Sequence, residues 1–409
     1  MTGFTHGRRS VLLSMTASLA LATIGGTTAA RAEDTIKIGL TTALTGPFNE
    51  FGEGMHRGVI LAIEKRNRDG GVLGKQVELA EALDDQLVPD RAVQNMRRIL
   101  DNKDIVGMIG PSGSGPTLAV VDMVAADGRP MMNHQAQTPA IVYPNGLDKP
   151  PRPNVFSTAI QNNIEASMIG QVLAKRYKKI GIVHESTGYG VTGQALIKAE
   201  ILSINKDAQV TNESYNQRDQ DMTAQLVRVQ RFGADVVMVI GLGADLAVIR
   251  KNMVRLNMTL PLYTSAGGLT VPYVEGAGDL VIGTRGAMFA ALSRKPMRPP
   301  TKEVLDAYKA KYGTDRWWGN DPENPQPTIA NNVIAGYDGA LMLFAAIQRA
   351  GSTKAADICK ALEATTNFPG ANGTYSFSAT VHDAIRPADM GIFQYVKTDG
   401  RIHLEPVTD

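Results

Sequence analysis

From Thr35 onward the chain alternates short β-branched runs with longer segments of helical period, and no other feature restricts its fold so strongly. The first series reads as strand TIKIGL, loop TTALTGPFNEFG, helix GMHRGVILAIEKRNRDGG, strand QVELAEALDD, helix DRAVQNMRRILDN, strand DIVGMIG, helix VVDMVAADG and strand RPMMNH. A second series begins near Phe156 and carries strands KIGIVHES, AQVTNESY, DVVMVIGL, PLYTSAG and one near GTRGAMFA, again separated by helical patterns. Such alternation implies parallel sheets, because parallel neighbours cannot be joined by a tight turn and need a crossover helix. Two series of comparable length predict two α/β lobes rather than one large sheet. Residues 301 to 365 are then helical, and GTYSFS and MGIFQYVKTDGRIHL read as a closing β-hairpin about the turn Thr398-Asp-Gly400. Helices after a second lobe, followed by more strands, predict a chain that crosses between lobes several times. The Pro-rich KPPRPN and RKPMRPP lie near those crossings, and WWGNDPENPQPT is an irregular loop.

Residues 1–32 have the make-up of a signal peptide: Arg8-Arg9, the uncharged VLLSMTASLALATIGG, and the small-residue cleavage site Ala30-Arg31-Ala32. Arg8-Arg9 before Ser-Val-Leu-Leu resembles a twin-arginine leader, with ordinary secretion as the alternative. The mature chain is expected from about Glu33, exported and without a membrane span. With Lys+Arg 42 against Asp+Glu 40 and no basic run, nucleic acid is not the expected partner. The single Cys359 cannot form an internal disulfide, so the core must hold the fold.

Gly110-Pro-Ser-Gly-Ser-Gly-Pro-Thr117 has the glycine spacing of a phosphate-binding loop, but Pro116 stands where the lysine belongs, which excludes a nucleotide. No GxSxG nucleophile elbow surrounds Ser112 or Ser114, no His/Cys pair has metal spacing, and Asp84-Asp85 has no evident basic partner. Catalysis, cofactor and metal are therefore not expected. A strand, a Gly/Ser loop and a helix start do offer converging N–H groups and hydroxyl donors, a combination that favours a carboxylate.

The order IKIGLTTALTGPFNEFGEGMHRGVILAIEKRNRDGGVLGKQVEL, DD, VGMIGPSGSG, IGIVHESTGYGVTG, ADVVMVIG and AGYDGALM resembles the Leu/Ile/Val-binding periplasmic proteins of ABC importers along almost the whole mature chain. The resemblance implies a type I periplasmic binding fold, with two Rossmann-like lobes, three crossing hinge strands, and a ligand captured in the cleft. Lobe one is expected at 33–157 plus 290–365, and lobe two at 158–289 plus 366–409. It also implies a small-molecule ligand, an ABC permease in the inner membrane as partner, a periplasmic location and a monomer.

Carried over residue by residue, Ser114 matches the serine that bonds the ligand carboxylate. Gln135 and Gln137 match the positions that complete that site, although the family has small hydroxyl residues there. Tyr189 matches the tyrosine that closes over the ligand. In Thr264-Ser265-Ala266-Gly267 the sequence departs from the family, since Ala266 and Gly267 occupy the place of the glutamate that pairs with an α-ammonium. A second aromatic contact of the family falls on Leu242-Gly243. A buried ammonium without a counter-charge is costly, so the expected ligand is a small carboxylate without an α-amino group, an aromatic acid first. Phe51, Tyr189 and Leu242 are the expected apolar wall. Three alternatives stay open: Asp245 replacing the missing glutamate, an amino-acid ligand for the same importer, and a ligand-sensing domain for a membrane receptor.

Overall fold

The computed structural model describes residues 35–313 and 329–407, so the expected leader at 1–32 and the WWGNDPENPQPT loop at 317–328 lie outside the described residues. The first series forms β1 (Ile36–Thr42), α1 (Asn49–Arg68), β2 (Val77–Asp84), α2 (Pro89–Asp101), β3 (Ile105–Ile109), α3 (Ser114–Asp127), β4 (Met131–Asn133) and β5 (Val155–Ser157). Its strands make a five-stranded parallel sheet in the order β2-β1-β3-β4-β5. The second series forms α4 (Asn162–Arg176), β6 (Lys179–Glu185), α5 (Gly188–Ile204), β7 (Gln209–Tyr215), α6 (Thr223–Phe232), β8 (Val236–Ile240), α7 (Gly243–Arg255), β9 (Leu262–Thr264), α8 (Val271–Ala277) and β10 (Arg285–Phe289). Central strand β8, VVMVI, is buried at every position, as a strand covered by helices on both faces must be.

The chain leaves the first sheet after Ser157, leaves the second after Phe289, and then forms α9 (Pro299–Tyr312), α10 (Ile329–Ala350) and α11 (Ala355–Glu363). Helix α10 packs along α1 and against β4, so these helices belong with the first sheet. The expected start of the second lobe's last segment, at 366, needs correction. The Phe377 ring lies 5.2 Å from that of Phe156, His382 stacks on Phe156 at 4.1 Å, and Ser157 N donates to His382 O at 2.7 Å. Residues 366–385 therefore stay with the first sheet, and the chain rejoins the second only at β13 (Met390–Thr398) and β14 (Arg401–Pro406).

These strands complete a seven-stranded sheet in the order β14-β13-β10-β9-β8-β6-β7. The β13–β14 hairpin turns on Asp399 and Gly400, both at positive φ (51° and 79°), the geometry that suits a two-residue connection between twisted strands. GTYSFS does not join that hairpin. Only Thr374–Tyr375 forms a strand, β12, paired with β11 (Phe368–Pro369), because the Tyr375 hydroxyl is committed to Asp338 of α10 at 2.7 Å.

Candidate ligand-binding site

The loops at the carboxyl ends of both sheets face one another. After β1, the loop TTALTGPF is pinned by Asp84, whose carboxylate accepts from Leu44 N (2.8 Å), Thr45 N (3.2 Å) and Thr45 Oγ1 (2.5 Å). Its neighbour Asp85 accepts from Leu87 N (2.9 Å) and Thr41 Oγ1 (3.1 Å), and burial raises its pKa to about 7. Both acids hold loops in shape.

In GPSGSGPT the three hydroxyls have different tasks. Ser112 Oγ accepts from Thr42 Oγ1 (3.0 Å) and Ala43 N (3.2 Å), tying the loop to β1. Thr117 donates to Pro111 O (3.1 Å) and Gly113 O (2.8 Å). Ser114, the first residue of α3, accepts from the backbone N–H groups of Gln137 and Thr138 at 3.2 Å each, which leaves its own O–H proton for another acceptor. Gly113 precedes the helix at φ +82°, and no side chain caps it. The positive end of α3 therefore stays open to an anion.

On the opposite side, Glu185 at the end of β6 organises the loop STGYG, accepting from Gly190 N (2.6 Å), Thr187 N (3.0 Å) and Thr187 Oγ1 (2.6 Å). This places Tyr189, whose hydroxyl accepts from Gly267 N at 3.3 Å. Burial, with the nearby Glu165 carboxyl second, pushes the Tyr189 pKa well above the usual tyrosine range, so it is a neutral ring and hydroxyl.

A cavity lies between these loops, and the centre of a water molecule can move through about 80 Å³ of it. The structure brings Phe51, Ser114, Gln135, Gln137, Tyr189 and Leu242 together around it. Leu87, Pro89, Thr187 and Gln217 also line it, and sequence patterning singled out none of them. Ala266 lines an adjoining chamber. Two expected site residues stand back from both spaces. Ser265 is fully buried, with its hydroxyl 3.4 Å from Gly241 N. A side chain at Gly243 would collide with the Thr270 hydroxyl, so that glycine serves close packing of α7. Contacts already join the two sides of the cleft: Arg218 donates to Gln86 O at 3.0 Å and stacks over Phe48 at 5.5 Å, and Thr138 Oγ1 donates to Thr192 Oγ1 at 2.9 Å.

No Asp or Glu is among the described residues that line the two spaces. Asp245 lies elsewhere, accepting from Arg218 N at 3.1 Å, with its pKa raised by burial to about 7. The carboxyl closest to Ala266 is instead Glu165, from the first turn of α4, whose Oε1 accepts from Ala266 N at 2.6 Å. It is 1% exposed, and burial raises its pKa to about 8, so at neutral pH it is an uncharged acid. Its only sequence signal was an acidic residue early in a helix, which is common for reasons of helix polarity alone.

Residues 35–401 match the profile of the family described as periplasmic binding protein. The Leu/Ile/Val-binding protein homolog 3 of Brucella melitensis is 28% identical over 376 residues, which are 90% of this chain and 94% of that protein. The leucine-, isoleucine-, valine-, threonine- and alanine-binding protein of Pseudomonas aeruginosa is 26% identical over 364 residues, 88% of this chain and 90% of that one. A type 1 periplasmic binding protein from Bordetella pertussis, known as a crystal structure, superposes with a TM-score of 0.88 at 55% identity, covering 91% of this chain and 100% of that chain. By sequence profile, curated relatives and fold, this chain belongs to the periplasmic binding protein family, a family of solute-binding proteins of the ABC-transporter type and not of enzymes.

Proposed function

We propose that the protein captures a small carboxylate without an α-amino group between its two lobes, in the periplasm, and delivers it to an ABC permease, with an aromatic acid as the favoured ligand. The observation that carries this reading is the make-up of the cavity. One end offers Ser114 and the uncapped start of α3, the walls from Phe51, Leu87, Pro89 and Leu242 are apolar, and among the described residues no acid lines it. An aromatic ring gains there from burial and from stacking on Phe51 or Tyr189. The fold itself does not choose: a Streptococcus pneumoniae relative at 20% identity holds isoleucine and a Rhodopseudomonas palustris relative at 19% holds 3,4-dihydroxybenzoic acid.

A second reading, an α-amino acid ligand, is favoured by Glu165, which would face an ammonium across the Ala266 backbone if it ionised. Calorimetry with leucine, valine and phenylalanine beside benzoate and 3-phenylpropionate separates the two. Micromolar binding of an acid supports the first reading, and micromolar binding of an amino acid with silence from the acids overturns it. At saturation with the bound compound, small-angle scattering is expected to show a smaller radius of gyration than without it, since a hinge between lobes closes on ligand. An unchanged radius counts against lobe closure.

Ser114→Ala removes a charge-assisted hydrogen bond to the carboxylate, worth roughly 1.5–3 kcal/mol. The expected loss of affinity for the acid that binds most tightly is about ten- to a hundredfold, since ~1.4 kcal/mol is a factor of ten. Ser112→Ala serves as the control, because its hydroxyl faces β1. Equal dissociation constants for Ser114→Ala and the unsubstituted protein would remove Ser114 from the site.

A further inference from the structure

A second chamber adjoins the cavity, with Gln135 and Gln137 lining both. The centre of a water molecule can occupy about 40 Å³ of it, against the roughly 10–15 Å³ that one water requires. Five residues that line this chamber carry buried side-chain atoms without a hydrogen-bond partner: His134 Nε2, Gln135 Oε1, Gln137 Oε1, Thr270 Oγ1, and both Oδ1 and Nδ2 of Asn331. Asn331, His134 and Thr270 are each only 2% exposed. Folded proteins leave few such groups, because each has surrendered its hydrogen bond to water. The Thr270 hydroxyl is turned onto Gly243 of α7, and the other five atoms, on four residues that line one small space, mark a place where something else supplies the bonds.

The polarity of the set narrows what that is. Gln135 Nε2 donates to Asn332 Oδ1 at 2.9 Å, so its amide oxygen is the free end. His134 is held at Nδ1 by the Thr158 hydroxyl at 3.1 Å, and burial lowers its pKa to about 3, leaving a neutral ring. Amide oxygens of Gln135, Gln137 and Asn331 seek donors, and Asn331 Nδ2 seeks an acceptor. Among the described residues lining the chamber none carries a charge, so an ionic end would be desolvated there without compensation. A hydroxyl, which donates and accepts at once, matches this set.

We propose that this chamber receives the far end of the captured ligand and selects an uncharged hydroxyl-bearing group there, so that the ligand is a hydroxylated small carboxylate. The inference rests on the reading of the Ser114 end as the carboxylate site. Its test is calorimetry of the full mature chain with three pairs of probes that differ by one hydroxyl: benzoate and 4-hydroxybenzoate, 3-phenylpropionate and 3-(4-hydroxyphenyl)propionate, hexanoate and 6-hydroxyhexanoate. In at least one pair the hydroxylated member is expected to bind ten times more tightly or better. Asn331→Leu and Gln135→Met, each checked by thermal melting for folding, are expected to bring that ratio toward one. If one variant fails to fold, the other decides.

The arms separate this proposal from the reading beneath it. Binding of the acids with equal affinity within every pair overturns the chamber and leaves the carboxylate site standing, with ordered water as the occupant. A hydroxyl preference confined to the aliphatic pair supports the chamber and removes the aromatic ligand. A preference that survives unchanged in the folded variants overturns the chamber's role, and silence from all six probes overturns both.

Discussion

Glu165→Gln is expected to make the protein more stable than the unsubstituted chain at pH 8–9, with the gain falling to about 1 kcal/mol at pH 5. In the folded protein burial raises the Glu165 pKa to about 8, with the hydrogen bond from Ala266 N opposing that rise. In the unfolded chain an ordinary glutamate ionises near pH 4.3. Between these values the folded state holds a proton that the unfolded state has released, so the contribution of Glu165 to stability is fully present below the unfolded pKa. It is lost as pH rises through the folded value. The loss at full ionisation is on the order of 3 kcal/mol or more, since one pKa unit is worth about 1.4 kcal/mol. Glutamine keeps an oxygen for Ala266 N and cannot ionise. Asp85, Asp245 and Asp338, whose pKa values burial raises to about 7, 7 and 6, are present in both proteins, so the difference between the two melting profiles reports Glu165. Thermal denaturation from pH 5 to 9 at constant ionic strength measures it, and parallel profiles would show that Glu165 is ionised in the folded state. That outcome would also strengthen the amino-acid reading of the site, because the counter-charge would then exist.

Gly58→Val is expected to destabilise the protein by about 3 kcal/mol or more, an overpacking effect at the upper end of its usual range. A Cβ at Gly58 of α1 would lie 2.0 Å from Val333 O and 2.8 Å from Tyr337 N, and one at Gly336 of α10 would lie 2.3 Å from Met55 O. The two helices touch backbone to backbone, and main-chain atoms cannot move aside as a flexible side chain can. The melting temperature should fall by roughly 5–10 °C. Because α10 begins beside the chamber and carries Asn331 and Asn332, affinity should fall with stability. A melting temperature within a degree of the unsubstituted protein would mean that the helices separate at little cost.

The same two positions show how much of this protein is legible in one dimension. Glycine inside a helix costs about 1 kcal/mol relative to alanine, so Gly58 and Gly336 stand out in sequence as positions where something other than helix propensity is served. Their partner cannot be read there, since 278 positions separate them along the chain (336 − 58). The GPSGSGPT loop divides in the same way. Its composition announces a strand, a tight loop and a helix start, yet nothing local tells which of Ser112, Ser114 and Thr117 faces the cavity. That follows from where β1 and the 135–138 loop lie: Ser112 is tied to Thr42 and Ala43, Thr117 donates to Pro111 O and Gly113 O, and Ser114 is the one of the three that lines the cavity.

By itself the sequence determined what depends on local repetition. The period-two and helical patterns imposed parallel sheets with crossover helices, and Asp399-Gly400 imposed the closing hairpin, because backbone sterics act within a few residues. Tertiary structure decided what depends on residues far apart. It kept 366–385 with the first sheet through Phe156 and Asp338, set Glu165 behind Ala266, and turned Ser265 and Gly243 away from the cavity. It also gathered Gln135, Thr270 and Asn331 around one chamber. Each of these is a long-range contact, whose partners are selected by how whole elements pack, and no window along the chain contains both halves.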